Sequence, residues 1–272
     1  MDTELLFEFR RGRARIRVYR RGSGLGEAAG AAGAAIIREA IAARGHARIV
    51  VGTGPSQDGT IGALTAAPGI DWSRVEVFHM DEYTGMAAAH PASFRRWLKE
   101  HVADVVRPGI VHYMQGDAAD VEAECRRYGG LLRAAPVDVT FLGFGENGHI
   151  AFNDPGVADF EDAAAVKPVT LDERCRRQQV GEGHFADLAS APPAAITVTC
   201  PALVSARHLV CSVPDRRKAE AVRDALEGPL SAACPASLVL RHPECAIFLD
   251  AESASLLVDV PGAEGPRGKG LL

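Results

Sequence analysis

Asp138-Val-Thr-Phe-Leu142-Gly143-Phe-Gly145-Glu-Asn147-Gly148-His149-Ile-Ala-Phe-Asn-Asp154-Pro155-Gly156 decides how this chain is read. An apolar run is broken by glycines at 143, 145 and 148, and a polar cluster of Asn147, His149 and Asp154 follows. This pattern marks a buried strand giving way to a loop that carries titratable groups. In open α/β sheets ligands collect at the carboxyl ends of strands, so these side chains fall where a substrate would bind.

The run formally contains Gly-x-Gly-x-x-Gly after a strand, but Pro155-Gly156 cuts short the helix that a dinucleotide needs. No cofactor is expected. A lone histidine is more often structural than catalytic; the glycine frame between Asn147 and Asp154 makes His149 a candidate acid/base.

Working outward, strands and helices alternate. Gly24 to Arg44, with Ile36, Ile37 and Ile41 at helical spacing and Gly45 as a stop, predicts a helix. Ala47 to Val51 predicts a short buried strand running into Gly52-Thr53-Gly54-Pro55-Ser56-Gln57-Asp58-Gly59-Thr60. Strand, glycine-rich turn and helix point backbone N–H groups at an anion. Thr60 stands where a P-loop has lysine, and Gln57 where a dinucleotide loop has glycine. A small phosphate cradle with hydroxyls from Thr53 and Ser56 is one reading, and a plain tight turn the other.

Val75 to Phe78 predicts the next strand, which delivers His79-Met-Asp81-Glu82-Tyr83. Asp81 and Glu82 are either a turn cap beside an exposed acid or a pair with a use; a metal site through His79 and Asp81 is the weaker option. Helices are expected from Ser93 through Val102, over Asp120–Leu132, over Asp172–Val180, and from Pro214 to Leu226 with Lys218 in its first turns. Strands are expected over 137–142, 164–171, 195–200, 208–213, 237–240 and 246–249, and a short helical cap over 253–257. The fold class is therefore α/β, a three-layer αβα sandwich with a mostly parallel, Rossmann-like sheet.

The chain's 272 residues suit one domain over 1–260, with an N-terminal strand extension over 1–22 and a flexible tail over 261–272. Arg13, Arg15 and Arg17 alternate with Ala14, Ile16 and Val18, which reads as an edge strand with a solvated face rather than a basic patch. With 47% hydrophobic and 24% charged residues the composition is that of an ordinary globular protein. The net charge of −5 argues against nucleic acid as a partner. No apolar stretch reaches the ~20 residues of a membrane span. The six scattered cysteines read as reduced thiols, and Asp2, Glu4 and Glu8 argue against a transit peptide, so a cytoplasmic protein is expected.

Four pieces taken together resemble the glucosamine-6-phosphate deaminase family. They are the loop at 52–59; Met80-Asp81-Glu82-Tyr83 with His90-Pro91; Gly145-x-Asn147-Gly148-His149-Ile150-Ala151-Phe152-Asn153-Asp154-Pro155; and Lys218-Ala219. Order and spacing match over roughly residues 45–257, and the third piece is the most specific.

The resemblance implies an enzyme that converts glucosamine 6-phosphate and water into fructose 6-phosphate and ammonia. By position, Asp81 would move a proton from C2 to C1. His149 would open the pyranose ring, oriented by Asn147 and Asp154. Thr53, Gly54, Ser56, Gln57, Glu82, Gln179 and Lys218 would bind substrate, with the phosphate on the 53–56 loop and against Lys218. No metal is required by this chemistry. The implied partner is a small sugar phosphate, with a homo-oligomer as the one macromolecular association left open.

Against the family pattern, Asn147 stands where many members carry Asp, and Asp154 where Glu is usual. Gln179 falls about where a phosphate-binding arginine is found, with Arg176 or Arg177 as substitutes, and Pro55-Ser56-Gln57 replaces Gly-Thr-Pro. Two rival readings stand beside this one: a 6-phosphogluconolactonase-like hydrolase, in which the histidine activates water, and a non-catalytic sugar-phosphate sensor.

Overall fold

The structure is a computed structural model that describes residues 4–258 and 260. The tail expected over 261–272 lies outside the described residues. Eleven strands are β1 (Leu5–Arg11), β2 (Ala14–Tyr19), β3 (Ala47–Val51), β4 (Val75–His79), β5 (Asp81–Tyr83), β6 (Ile110–His112), β7 (Val139–Leu142), β8 (Val166–Thr170), β9 (Ala194–Val198), β10 (His208–Val213) and β11 (Cys245–Asp250). Eight of them form one sheet in the order β1-β2-β11-β10-β7-β3-β4-β6, parallel throughout except for the β1–β2 hairpin.

The helices are α1 (Gly22–Arg44), α2 (Pro55–Ala66), α3 (Phe94–Leu98), α4 (Asp104–Val106), α5 (Val121–Arg133), α6 (Glu173–Gly181), α7 (Cys200–Val204) and α8 (Ala219–Glu227). One face of the sheet is covered by apolar side chains from α1, α2 and α3, including Leu25, Ile37, Ile61, Leu64 and Leu98. The other is covered from α5, α7 and α8, including Tyr128, Leu132, Leu203 and Val222. Burial on both faces is why β3 and β7 are buried at every residue and mostly apolar, with Arg48 and Thr140 the polar members, rather than alternating. The expected three layers and mostly parallel sheet are therefore present.

Several local expectations are corrected. The arginine-rich start is a hairpin, not a single edge strand: β1 forms the edge, while β2 pairs in parallel with β11 and buries Ile16 and Val18. Residues 237–240 form no strand but lie within a 3-10 turn over Pro235–Arg241, which tucks Ala236 and Val239 into the core. A short apolar run after a proline carries no period to separate the two readings. Residues 251–256 run as turns rather than a helical cap.

A second sheet was not foreseen: β5, β9 and β8 pair antiparallel, with Asp81 opposite Thr197. Asp81 thus opens β5 rather than closing β4. All six cysteines are free thiols. Among the described residues no helix is long and apolar enough to cross a membrane.

Candidate active site

From β3 the chain steps outward to β4 on one side, whereas β7 lies on the other. The crevice between the carboxyl ends of β3 and β7 is thus the switch point of the sheet, the place where such folds bind ligands. The loops that leave β3 and β7 meet there. A cleft opens between them, lined by Thr53, Gly54, Ser56, Gln57, Asp81, Gly145, His149, Gln178, Gln179, Glu182, His184 and Lys218.

The β3 loop runs as strand, glycine turn and helix N-terminus. Gly54, at φ 95°, caps α2, no side chain caps the helix, and Pro55 occupies its first turn. Pro55 has no N–H and the Gln57 N–H donates to Gly54 O (2.9 Å), so it is Ser56, with the positive end of the helix dipole, that stands at the cleft. Gln57 is buried, donates to Ser212 O at 3.2 Å and keeps Oε1 without a partner.

Asp81 is 6% exposed, and its backbone is locked from behind. The Met114 N–H donates to His79 Nε2 (2.8 Å), which makes Nδ1 the protonated nitrogen that donates to Asp81 O (2.9 Å). Burial pulls the His79 pKa down to about 3, so the ring stays neutral. With both nitrogens engaged by backbone, His79 has no ligand atom left for the metal site considered with Asp81.

Burial, with the Glu82 charge adding to it, pushes the Asp81 carboxyl well above the usual carboxylate range. A raised carboxyl facing a cleft suits a proton-transfer group.

Glu82 points elsewhere. It is fully buried and accepts from Ser93 Oγ (2.7 Å) and from the backbone N–H groups of Tyr83 (2.9 Å) and Arg95 (2.9 Å), with the Arg95 Nε 3.5 Å away. It fastens the start of α3 to β5 and does not reach the cleft, which corrects its expected place among the substrate-binding residues. Strand alternation explains this: adjacent residues of β5 face opposite sides.

His149 sits across the cleft on the β7 loop. A Cβ on Gly145 would lie 2.2–2.4 Å from three atoms of the His149 ring, so the imidazole packs flat on a backbone that only glycine leaves open. Gly148, at φ 83°, makes the turn. Behind the ring, Nδ1 lies 2.9 Å from Asp154 Oδ1 in a bent contact short of a well-formed hydrogen bond.

Asn147 does not enter the cleft. Its Nδ2 donates to Asp154 Oδ1 (2.9 Å) and Asp172 Oδ2 (3.0 Å), and its Oδ1 accepts from the His149 N–H (3.1 Å). Burial would raise the Asp154 pKa, but the contacts with His149, Asn147 and the Asp172 N–H outweigh it and hold the carboxylate ionised. Asn147 and Asp154 thus contact His149 from behind, through its backbone N–H and its Nδ1, and the shorter Asp still reaches the ring.

At the far end Lys218, 2% exposed, lies in a 3-10 turn over Arg216–Lys218 just before α8. Gln179 accepts from the Tyr83 hydroxyl through Oε1 (2.6 Å), which leaves its amide nitrogen for the cleft. Neither arginine stands in for it: Arg176 binds the Leu188 and Ala191 carbonyls, and Arg177 pairs with Glu173.

Gln178, Glu182 and His184 line the same end and were not singled out in the sequence. So does Phe94, while Cys175 stands beside Asp154 and His149. The Glu182 signal was present, an acid in the Gly-Glu-Gly that ends α6, but it reads as a surface breaker.

The sequence profile described as glucosamine-6-phosphate isomerases/6-phosphogluconolactonase matches residues 21–247. The chain belongs to this family.

Similar members include the glucosamine-6-phosphate deaminase of Arthrobacter sp. (strain FB24), 37% identical over 70% of this chain and 72% of that one. Glucosamine-6-phosphate deaminase 2 of Bacillus subtilis (strain 168) is 35% identical over 82% and 91%. Among solved structures, a monomeric glucosamine-6-phosphate deaminase superposes with a TM-score of 0.81 at 28% identity, covering 89% of this chain and 99% of that one. A 6-phosphogluconolactonase from Trypanosoma brucei shares the fold, with a TM-score of 0.71 at 18% identity over 89% and 98%.

Proposed function

We propose that this family member converts an amino sugar phosphate, with glucosamine 6-phosphate as the reference substrate, into a ketose phosphate and ammonia. The observation that carries the reading is that Asp81 and His149 face one cleft whose other end holds Lys218 and the open N-terminus of α2.

His149 takes the proton from O1 and gives one to O5, opening the pyranose ring to the aldehyde. Asp81, ionised when it acts, takes the C2 proton and returns it to C1. The electron pair released at C2 forms the C1=C2 bond of the enol as O1 takes up a proton, and protonation at C1 then draws in the nitrogen lone pair, so that the C2 amine becomes an iminium that passes its extra N–H proton to water. Water adds to that imine, the C–N bond breaks, and ammonia leaves with the ketone at C2. Proton transfer by a positioned carboxylate contributes about 10²–10⁴-fold to rate, and holding reactants in place about 7–11 kcal/mol.

The test is ammonia release from glucosamine 6-phosphate, measured beside hydrolysis of 6-phosphogluconolactone. Ammonia with no lactone hydrolysis is expected. Lactone hydrolysis without ammonia would overturn the reading in favour of the hydrolase branch.

A further inference from the structure

The phosphate end of the cleft holds a group that the proton-transfer scheme does not use. Glu182 follows α6, and its Oε1 lies 3.3 Å from Lys218 Nζ and accepts from Gln178 Nε2 at 2.9 Å. Its Oε2 is 3.8 Å from His184 Nε2, a buried nitrogen that has no hydrogen-bond partner and faces Gly54. The Glu182 and Lys218 side chains are 9% and 3% exposed.

Among the described residues lining the cleft, Lys218 is the only lysine or arginine. Nearby guanidinium groups are engaged elsewhere: Arg217 with Asp215 at 2.7 Å, and Arg174 with Glu220 at 3.3 Å. Burial lowers the His184 pKa against the pull of Glu182 and of Asp58 on α2, so this ring adds little charge near neutral pH. Lys218 and Glu182 therefore cancel, and a phosphate dianion seated on Lys218 would lie against a buried carboxylate. Like charges that close do not both stay ionised; one proton is retained between them.

Resting on the reading that this end of the cleft takes a phosphate, the geometry points to Glu182 as a specificity-determining residue that makes the site bind the phosphate together with one proton. The phosphate enters as its monoanion beside the carboxylate, or as the dianion beside a carboxylic acid. In either form the proton lies between Glu182 and a phosphate oxygen, and Lys218 balances the remaining charge.

A phosphomonoester loses its second proton near pH ~6. A cradle built on lysine alone would bind more tightly as the dianion forms. This site has the opposite sign: one proton enters with each phosphate, so affinity falls, at the limit tenfold per pH unit, once neither partner carries that proton.

Calorimetric titration of the full chain with methyl phosphate, a phosphomonoester, between pH 6 and 8, at constant ionic strength and in two buffers of different ionisation heat, tests this. For the wild type, binding should weaken at least tenfold toward pH 8, with about one proton taken up. Glu182→Gln should bind at least tenfold more tightly than wild type at pH 8 and lose the proton uptake. Asp81→Asn should keep the wild-type slope, which separates Glu182 from the other raised carboxyl.

Wild-type affinity that is flat or rises with pH, or a Glu182→Gln protein that binds no better, overturns the proposal; the wild-type slope decides alone if the variant fails to fold. A protein that releases ammonia but shows a flat slope loses only this inference. One that takes up the proton with phosphate but releases no ammonia loses the reaction and keeps the role of Glu182.

Discussion

At the scale of single residues the site is a division of labour between two acids that follow one another in sequence. Asp81 faces the cleft with its pKa pushed well up by burial and by Glu82, whereas Glu82 is spent on the Ser93 hydroxyl and three backbone N–H groups at the start of α3. The native state therefore holds the Asp81 proton more tightly than the unfolded chain does. Stability from this group is present below the ordinary aspartate pKa of about 3.9 and is lost as pH rises through the raised native value.

Asp81→Asn removes that loss. Its melting temperature should exceed that of the wild type at pH 7.5 and match it near pH 4, as scanning calorimetry would show. Equal melting temperatures at pH 7.5 would contradict the placement of a raised carboxyl there. Because Asp81 must be ionised to accept a proton, the same shift moves the acid limb of kcat/KM upward from the ordinary carboxylate range.

At the scale of elements, the β7 loop presents His149 from a glycine-framed turn, and the ring is held on both sides. Gly145 backs one side and Asp154 stands 2.9 Å from Nδ1. A methyl group at 145 leaves the ring nowhere to go except into the cleft. Gly145→Ala should lower kcat by about 10²-fold, the cost expected of a displacement near 1 Å, in a protein that still folds. Ammonia release within twofold of wild type would show that the ring tolerates the shift.

Much of this element was legible beforehand, since glycines at 143, 145 and 148 around a polar cluster mark a strand end that must bend tightly. The orientation of Asn147 was not. The resemblance assigned the amide there to orienting His149; it accepts from the His149 N–H and also bridges Asp154 and Asp172. Only the folded positions of residues 154 and 172 reveal a bridge of that kind.

At the scale of the molecule, the alternation of strand and helix disclosed the parallel sheet, because burial on both faces of β3 and β7 leaves mostly apolar runs between helical patterns; the switch point depends on strand order, which no local pattern carries. The β5-β9-β8 sheet stayed hidden. Its strands are far apart in sequence, β5 is three residues long, and strand pairing of that kind leaves no local pattern.

That small sheet matters to the chemistry. It carries Asp81 on β5 to the cleft side, while the eight-stranded sheet delivers His149, the α2 N-terminus and Lys218. In the proposed reaction the C2-to-C1 proton transfer and the phosphate contacts thus fall to separate elements, and Asp81 can be altered without dismantling the other end of the cleft.

The central claim is that Asp81 carries the proton transfer, and the most direct measurement is steady-state ammonia release from glucosamine 6-phosphate by wild type and Asp81→Asn at matched, saturating substrate. The account predicts that the wild type releases ammonia and that the variant is slower by about 10²–10⁴-fold. Ammonia release by Asp81→Asn within tenfold of the wild type would contradict it.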